Sequence, residues 1–168
     1  MPICAANETN GMIESASSLI YLDTNIFIKA VEGLDDAAVP AKTLIKTLRD
    51  RSAGIAATSE ITLAEVLAPS ARADAMPLHL KRRAYLDLLL WNGFVALVPV
   101  SRSILIETAS LREKSKLKLP DAVHLVSAIQ GRCRYFVSAD RDFGQLPEGM
   151  ERVGCDRDDL PRLLKVLS

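Results

Sequence analysis

Apolar positions along the chain fall into two alternating patterns. Short apolar runs of strand length occupy residues 19–23, 54–58, 94–100, 135–138 and 152–154. Between them lie longer stretches whose apolar residues recur at helical spacing. The first of these covers residues 24–31 and is stopped by Gly33. The second opens at Asp35 and Asp36, carries Leu44, Ile45 and Leu48, and ends near Arg51. A third follows a Ser59 N-cap, carries Ile61, Leu63, Ala64, Val66 and Leu67, and stops at Pro69. Residues 77–92, 101–117 and 119–129 form three more, and a last helix carries Leu160, Leu163, Leu164 and Leu167 behind the acids Asp156 to Asp159. Strands that alternate with helices imply a parallel sheet with right-handed crossovers. Residues 1–18 show no periodicity and read as a loose tail, with Met12 as an alternative start; residues 19–168 read as one domain.

Two strands rise to an acid. Leu19-Ile20-Tyr21-Leu22 ends on Asp23, and Tyr135-Phe136-Val137-Ser138 runs into Asp140 and Asp142. In an open α/β sheet, ligands sit outside the carboxyl ends of the strands. Asp23 can cap the next helix or serve a ligand on that rim. Glu65 sits between Leu63-Ala64 and Val66-Leu67, so part of it faces packed surface and needs a partner. It can also face solvent, or close a capping box with Thr62. Asp121 follows Pro120 in the first turn of a helix, where the dipole alone favours an acid. His124, one turn on, lies on an apolar face and reads as a core residue.

Composition narrows the choices. The chain has 168 residues, 49% hydrophobic and 25% charged, with 21 basic against 21 acidic side chains. There is no overall basic footprint, so a nucleic-acid partner would need a local patch or a metal to neutralise phosphates. Lys81, Arg82 and Arg83 read as the solvated face of a helix. Lys114, Lys116 and Lys118 read as a cationic helix end, or as a phosphate patch beside Asp121. No apolar run approaches ~18 residues, so no membrane span is expected. No signal-peptide pattern opens the chain. Cys4, Cys133 and Cys155 are scattered and odd in number, which fits a reducing cytoplasm and no structural zinc site.

Four carboxylates on one rim, Asp23, Glu65, Asp121 and Asp140, would repel one another without a counter-charge. Hard divalent cations such as Mg²⁺ or Mn²⁺ take oxygen ligands and supply it. These residues match a family. Tyr21-Leu22-Asp23-Thr24-Asn25, residues 58–67, Pro120-Asp121-Ala122-Val123-His124-Leu125 and residues 137–143 resemble, in order, the motifs of PIN-domain nucleases, most closely the VapC-type toxins of toxin–antitoxin pairs. The resemblance implies a three-layer α/β/α sandwich on a five-stranded parallel sheet. It implies metal binding by Asp23, Glu65, Asp121 and Asp140, with Asp142 as an extra ligand and Asn25 and Ser138 in support. It further implies Mg²⁺-dependent cleavage of RNA, with Mn²⁺ as a substitute, a cognate antitoxin, a homodimer and a cytoplasmic site of action. Two alternatives stand beside it. One is a PIN domain that acts in RNA processing or as an RNA-binding scaffold. The other is a metal-dependent phosphohydrolase of the haloacid dehalogenase kind, which needs a second acid where this chain has Asn25.

Overall fold

A computed structural model of the chain describes residues 20–51, 54–70, 75–140, 143 and 146–166. The expected tail, with Cys4 and Met12, and the candidate ligand Asp142 lie outside these residues. Five parallel strands form one sheet: β1 (Ile20–Leu22), β2 (Ala56–Ser59), β3 (Val95–Val98), β4 (Tyr135–Val137) and β5 (Glu151–Val153). Their order is β3-β2-β1-β4-β5, so β1 is central. The chain builds outward from β1 on one side, then returns to the other side with β4. The crevice between β1 and β4 is therefore the switch point of the sheet, and Leu22 pairs with Val137 at its upper end.

Seven α-helices join the strands: α1 (Thr24–Glu32), α2 (Val39–Arg49), α3 (Ile61–Leu67), α4 (Leu78–Leu86), α5 (Arg102–Lys114), α6 (Leu119–Gln130) and α7 (Asp159–Val166). Side chains alternate across the sheet, as the two-residue period requires. Ile20, Leu22 and Val137 pack into the larger core, with Ile26, Phe27, Leu44 and Tyr85. Tyr21, Ala57 and Phe136 point the other way, onto Leu125 and Ala128 of α6. Every residue of β1 is buried, which is why this strand reads as a continuous apolar run. No described helix is long and apolar enough to cross a membrane. Cys133 and Cys155 are free, buried thiols.

The structure departs from the sequence reading at several boundaries. Ser59 does not cap α3; it is the last residue of β2 and pairs with Val98, which keeps its backbone extended. Glu60 stands at the N-cap without a side-chain bond, and Ser59 Oγ lies a long 3.4 Å from Ile61 N. α2 begins at Val39 after a 3₁₀ turn, Asp36–Ala38, and Asp35 forms no side-chain cap. β3 stops at Val98, because Pro99 has no N–H to extend the ladder. α5 stops at Lys114, where Ser115 turns extended, so the lysine-rich segment links two helices rather than ending one. α4 continues into a π-helical turn, Asp87–Trp91, closed by Asn92 N donating to Asp87 O. Asp156 does cap the approach to α7, its Oδ1 accepting from the N–H groups of Asp158 and Asp159.

The basic cluster of α4 is not simply a solvated face. Lys81 is buried, its Nζ 3.3 Å from Glu32 Oε1 and 3.1 Å from the carbonyl of Ala68. The Tyr85 hydroxyl donates to the same Glu32 oxygen at 2.7 Å. Arg82 Nε donates to the Leu67 carbonyl at 3.2 Å. These bonds tie α4 to the ends of α1 and α3.

Gly33 ends α1 by donating its N–H to Lys29 O. A Cβ there would lie 2.5 Å from that same oxygen and would also collide with Ala38 Cβ. Gly33→Ala is therefore expected to cost about 1–3 kcal/mol, since neither neighbour is a flexible side-chain end. Thermal melts of the two proteins check this, and unchanged stability would mean that the turn gives way freely.

Candidate active site

Asp23 is the first residue beyond β1 and the N-cap of α1, on the rim at the carboxyl end of the sheet. Its Oδ1 accepts from Thr24 N at 2.7 Å. Its Oδ2 accepts from Asn25 Nδ2 at 2.6 Å and from Ser138 Oγ at 2.7 Å. Asn25 completes a bridge across the switch point, because its Oδ1 accepts from the backbone N of Ala139 at 3.0 Å. Ser138 Oγ in turn accepts from Asp140 N at 3.0 Å, which fixes the backbone of that exposed acid beside the same rim. Three donors favour the ionised form of Asp23. Burial is the stronger influence, with the residue only 5% exposed, and its carboxyl stands above the usual range.

Glu65 reaches the rim from α3. It does not close a capping box with Thr62. Its Oε2 accepts from Thr24 Oγ1 at 2.6 Å and lies 3.0 Å from His124 Nε2. Burial is the largest single influence on Glu65 and acts upward. The hydrogen bonds from His124 and Thr24 outweigh it together, and the carboxyl lies below its ordinary value. The same His124 nitrogen is 3.7 Å from Asp23 Oδ1.

Asp121 occupies the first turn of α6. Burial pushes its carboxyl up, and the charge of Asp140 pushes it further. His124 and Lys118 pull it down, and Glu65 adds a smaller upward push. Two acids thus act on neighbours: Glu65 on Asp23, and Glu65 and Asp140 on Asp121. A lone helix-cap acid would feel no such charges.

His124 is buried at 1% exposure, as its apolar face required. The sequence reading missed that it is also the hub of the acids. Its Nδ1 lies 2.8 Å from the Tyr21 hydroxyl, and its Nε2 lies 3.0 Å from Thr24 Oγ1. Tyr21, Thr24, Thr58 and Thr62 belong to the same polar network, and nothing in the hydrophobic pattern marked them. The one signal was position: Thr24 adjoins Asp23, and His124 follows Asp121 by one turn.

Among the described residues no three His, Cys, Asp or Glu side chains form a ready-made metal cage. The donor chemistry is nevertheless that of a hard cation, with carboxylate oxygens from three elements and the segment after β4. Asp23, Glu65, Asp121 and Asp140 are the residues that could hold such an ion.

Comparison with known proteins bears on the domain and its fold. The sequence matches the PIN domain over residues 20–149. No curated protein matches the chain. Among solved structures it is similar to a toxin–antitoxin complex from Klebsiella pneumoniae, with 26% identity and a TM-score of 0.57, covering 79% of this chain and 95% of that one. It shares its fold with VapBC2 from Rickettsia felis bound to a DNA fragment from their promoter (18% identity, TM-score 0.58, 82% and 98% coverage). It shares it also with FitAB bound to an IR36 DNA fragment (16% identity, TM-score 0.55, 81% and 94% coverage).

Proposed function

We propose, because the chain belongs to the PIN-domain family of nucleases, that it is a Mg²⁺-dependent endoribonuclease and the toxin of a toxin–antitoxin pair. The observation that carries the reading is geometric: Glu65 Oε2 from α3 and Asp23 Oδ1 from the end of β1 converge on one buried histidine nitrogen, at 3.0 and 3.7 Å, with Asp121 one turn before that histidine on α6. A divalent cation bound there would neutralise the acids, activate a water and stabilise the leaving oxygen of a phosphodiester. PIN domains generally use divalent metal ions, and Mn²⁺ has the oxygen preference to substitute for Mg²⁺. Asp23, Glu65, Asp121 and Asp140 would hold the ion, and Asp142 adds a carboxylate close in sequence. Asn25 and Ser138 hold Asp23 in place from both sides of the crevice.

Nothing in this set is a covalent nucleophile with its own base. Asn25 stands where a haloacid dehalogenase-type phosphohydrolase needs an acid, and its amide is committed to Asp23, Ser138 and Ala139. Lys118, the N-cap of α6 and close enough to Asp121 to lower its pKa, would be the cation that meets a phosphate approaching the acids. Relatives crystallised as toxin–antitoxin complexes support an inhibitory partner protein for this chain. A homodimer and a cytoplasmic site of action belong to the same reading.

The test is direct. Purified protein should cleave single-stranded RNA with Mg²⁺ or Mn²⁺, leave DNA of the same sequence intact, and stop when EDTA is added. Undiminished cleavage in EDTA would end the metal mechanism; preference for DNA would end the ribonuclease reading.

A further inference from the structure

Counting hydroxyl protons around Glu65 assigns a direction to each bond. Thr58 Oγ1 lies 2.7 Å from the carbonyl of Leu22, which can only accept, so Thr58 donates there. Thr62 must then donate to Thr58 across 2.8 Å. Thr24 keeps one proton to offer, and the Glu65 carboxylate at 2.6 Å is its strongest acceptor. His124 Nε2 therefore faces acceptors on every side: Glu65 Oε2 and Thr24 Oγ1 at 3.0 Å, and Asp23 Oδ1 at 3.7 Å. A bare nitrogen lone pair there would oppose two carboxylates, so Nε2 carries a proton. Nδ1 is left to the Tyr21 hydroxyl, whose proton burial retains. Thr62 Oγ1, at 3.1 Å, is the longer and uncharged alternative for the Thr24 proton. The Thr58 and Thr62 bonds are thus anchored on the backbone of β1, while the Thr24 and His124 bonds meet on one oxygen of Glu65.

We propose that His124 is a positioning residue of this site, holding Glu65 through an Nε2–H bond that Tyr21 orients from the opposite side of the ring. The inference rests on the metal-dependent reading above. Glu65 needs such a holder more than Asp23 does. Asp23 sits on a strand end and is gripped by Asn25, Ser138 and its own helix N-terminus. Glu65 is a longer side chain, 32% exposed, on the seven-residue helix α3. Fixing its Oε2 removes the rotamers that would point it into solvent, so the carboxylate need not be ordered when an ion binds. Outer partners of this kind, when lost, typically lower metal affinity by ~10–100-fold.

Three proteins test it, read by ring NMR, Mn²⁺ titration, RNA cleavage and melting temperature. In the metal-free wild type, ¹⁵N NMR of the histidine rings should show Nε2 of His124 protonated, with the exposed His79 as reference. His124→Leu keeps the apolar bulk and loses the donor; its Mn²⁺ affinity, by calorimetric titration of the folded protein, should fall ~10–100-fold. His124→Gln places an amide N–H at similar reach and should bind Mn²⁺ within a few-fold of wild type, with its RNA cleavage restored in step. A merely structural histidine predicts lower melting temperatures for both variants, unchanged Mn²⁺ affinity, and no difference between Gln and Leu. Either that pattern or a ring protonated only on Nδ1 overturns the proposal, and the ring measurement decides even if His124→Leu fails to fold. Wild-type protein that neither binds Mn²⁺ nor cleaves RNA overturns the functional reading and this one together; a wild type that cleaves while His124→Leu binds Mn²⁺ normally overturns this one alone.

Discussion

Asp121→Asn should abolish RNA cleavage and leave the metal-free protein as stable as wild type, or more stable. The expectation follows from the forces on this carboxyl. Burial and the charges of Asp140 and Glu65 hold its pKa above the usual value. A raised acid contributes stability that is present in full below its unfolded pKa and is lost as pH rises through the folded one. The neutral amide escapes that loss. The melting temperature of the variant should therefore gain on wild type as pH climbs through the carboxylate range, in EDTA. Mn²⁺ should raise the melting temperature of wild type more than that of the variant, because binding to the folded state stabilises by mass action. A helix-cap role predicts the opposite sign: the variant loses a dipole contact worth ~0.3–1 kcal/mol, responds to metal like wild type, and cleaves normally. A destabilised but active protein would remove Asp121 from the site.

The second large effect lies away from the acids. Glu32→Ala should cost about 3–5 kcal/mol, because it leaves the Lys81 ammonium buried with the Ala68 carbonyl as its remaining partner. For a chain of this size that is a fall of roughly 6–20 °C in melting temperature. The Tyr85 hydroxyl loses its acceptor in the same step. Replacing both charges, Glu32→Leu with Lys81→Met, should recover most of the loss, since an apolar pair of similar volume avoids desolvating two ions. A single variant that melts within about 1 °C of wild type would show that water reaches Lys81 and the pair is not buried in solution.

Several features were legible in the chain because they are local. A continuous apolar run marked β1, and Gly33 marked the end of α1. The acids drew notice because Asp23 and Asp140 both follow apolar strands. What the sequence hid were relations across long separations. Glu65 meets Thr24 over 41 positions and His124 over 59, and no periodicity encodes either pairing. Its helical spacing said that it faced packing but not what it faced. His124 satisfied every rule for a core residue and is one; its polar role depends on Tyr21, on the far side of the ring. Lys81 looked like its neighbours Arg82 and Arg83, and only the return of α1 beside α4 brings Glu32 to it. Ser59 had the chemistry of a cap, and strand pairing with Val98 overrode it.

The order of the strands also sets when the site can exist. β1 pairs with β2 once residues 56–59 are made, but its other edge stays open until β4, more than a hundred residues after β1 itself. Asp23 acquires its Ser138 donor, and Asn25 its Ala139 partner, only in that last pairing. Synthesis runs from the N-terminus, and a central strand still open on one edge lacks the partners that complete the rim. A chain still on the ribosome, with residues 135–140 inside the exit tunnel, therefore carries Asp23 and Glu65 but no assembled acidic centre. Through most of translation the rim is unassembled by topology alone, and a truncated product that lacks β4 is expected to leave RNA uncleaved in the assay above.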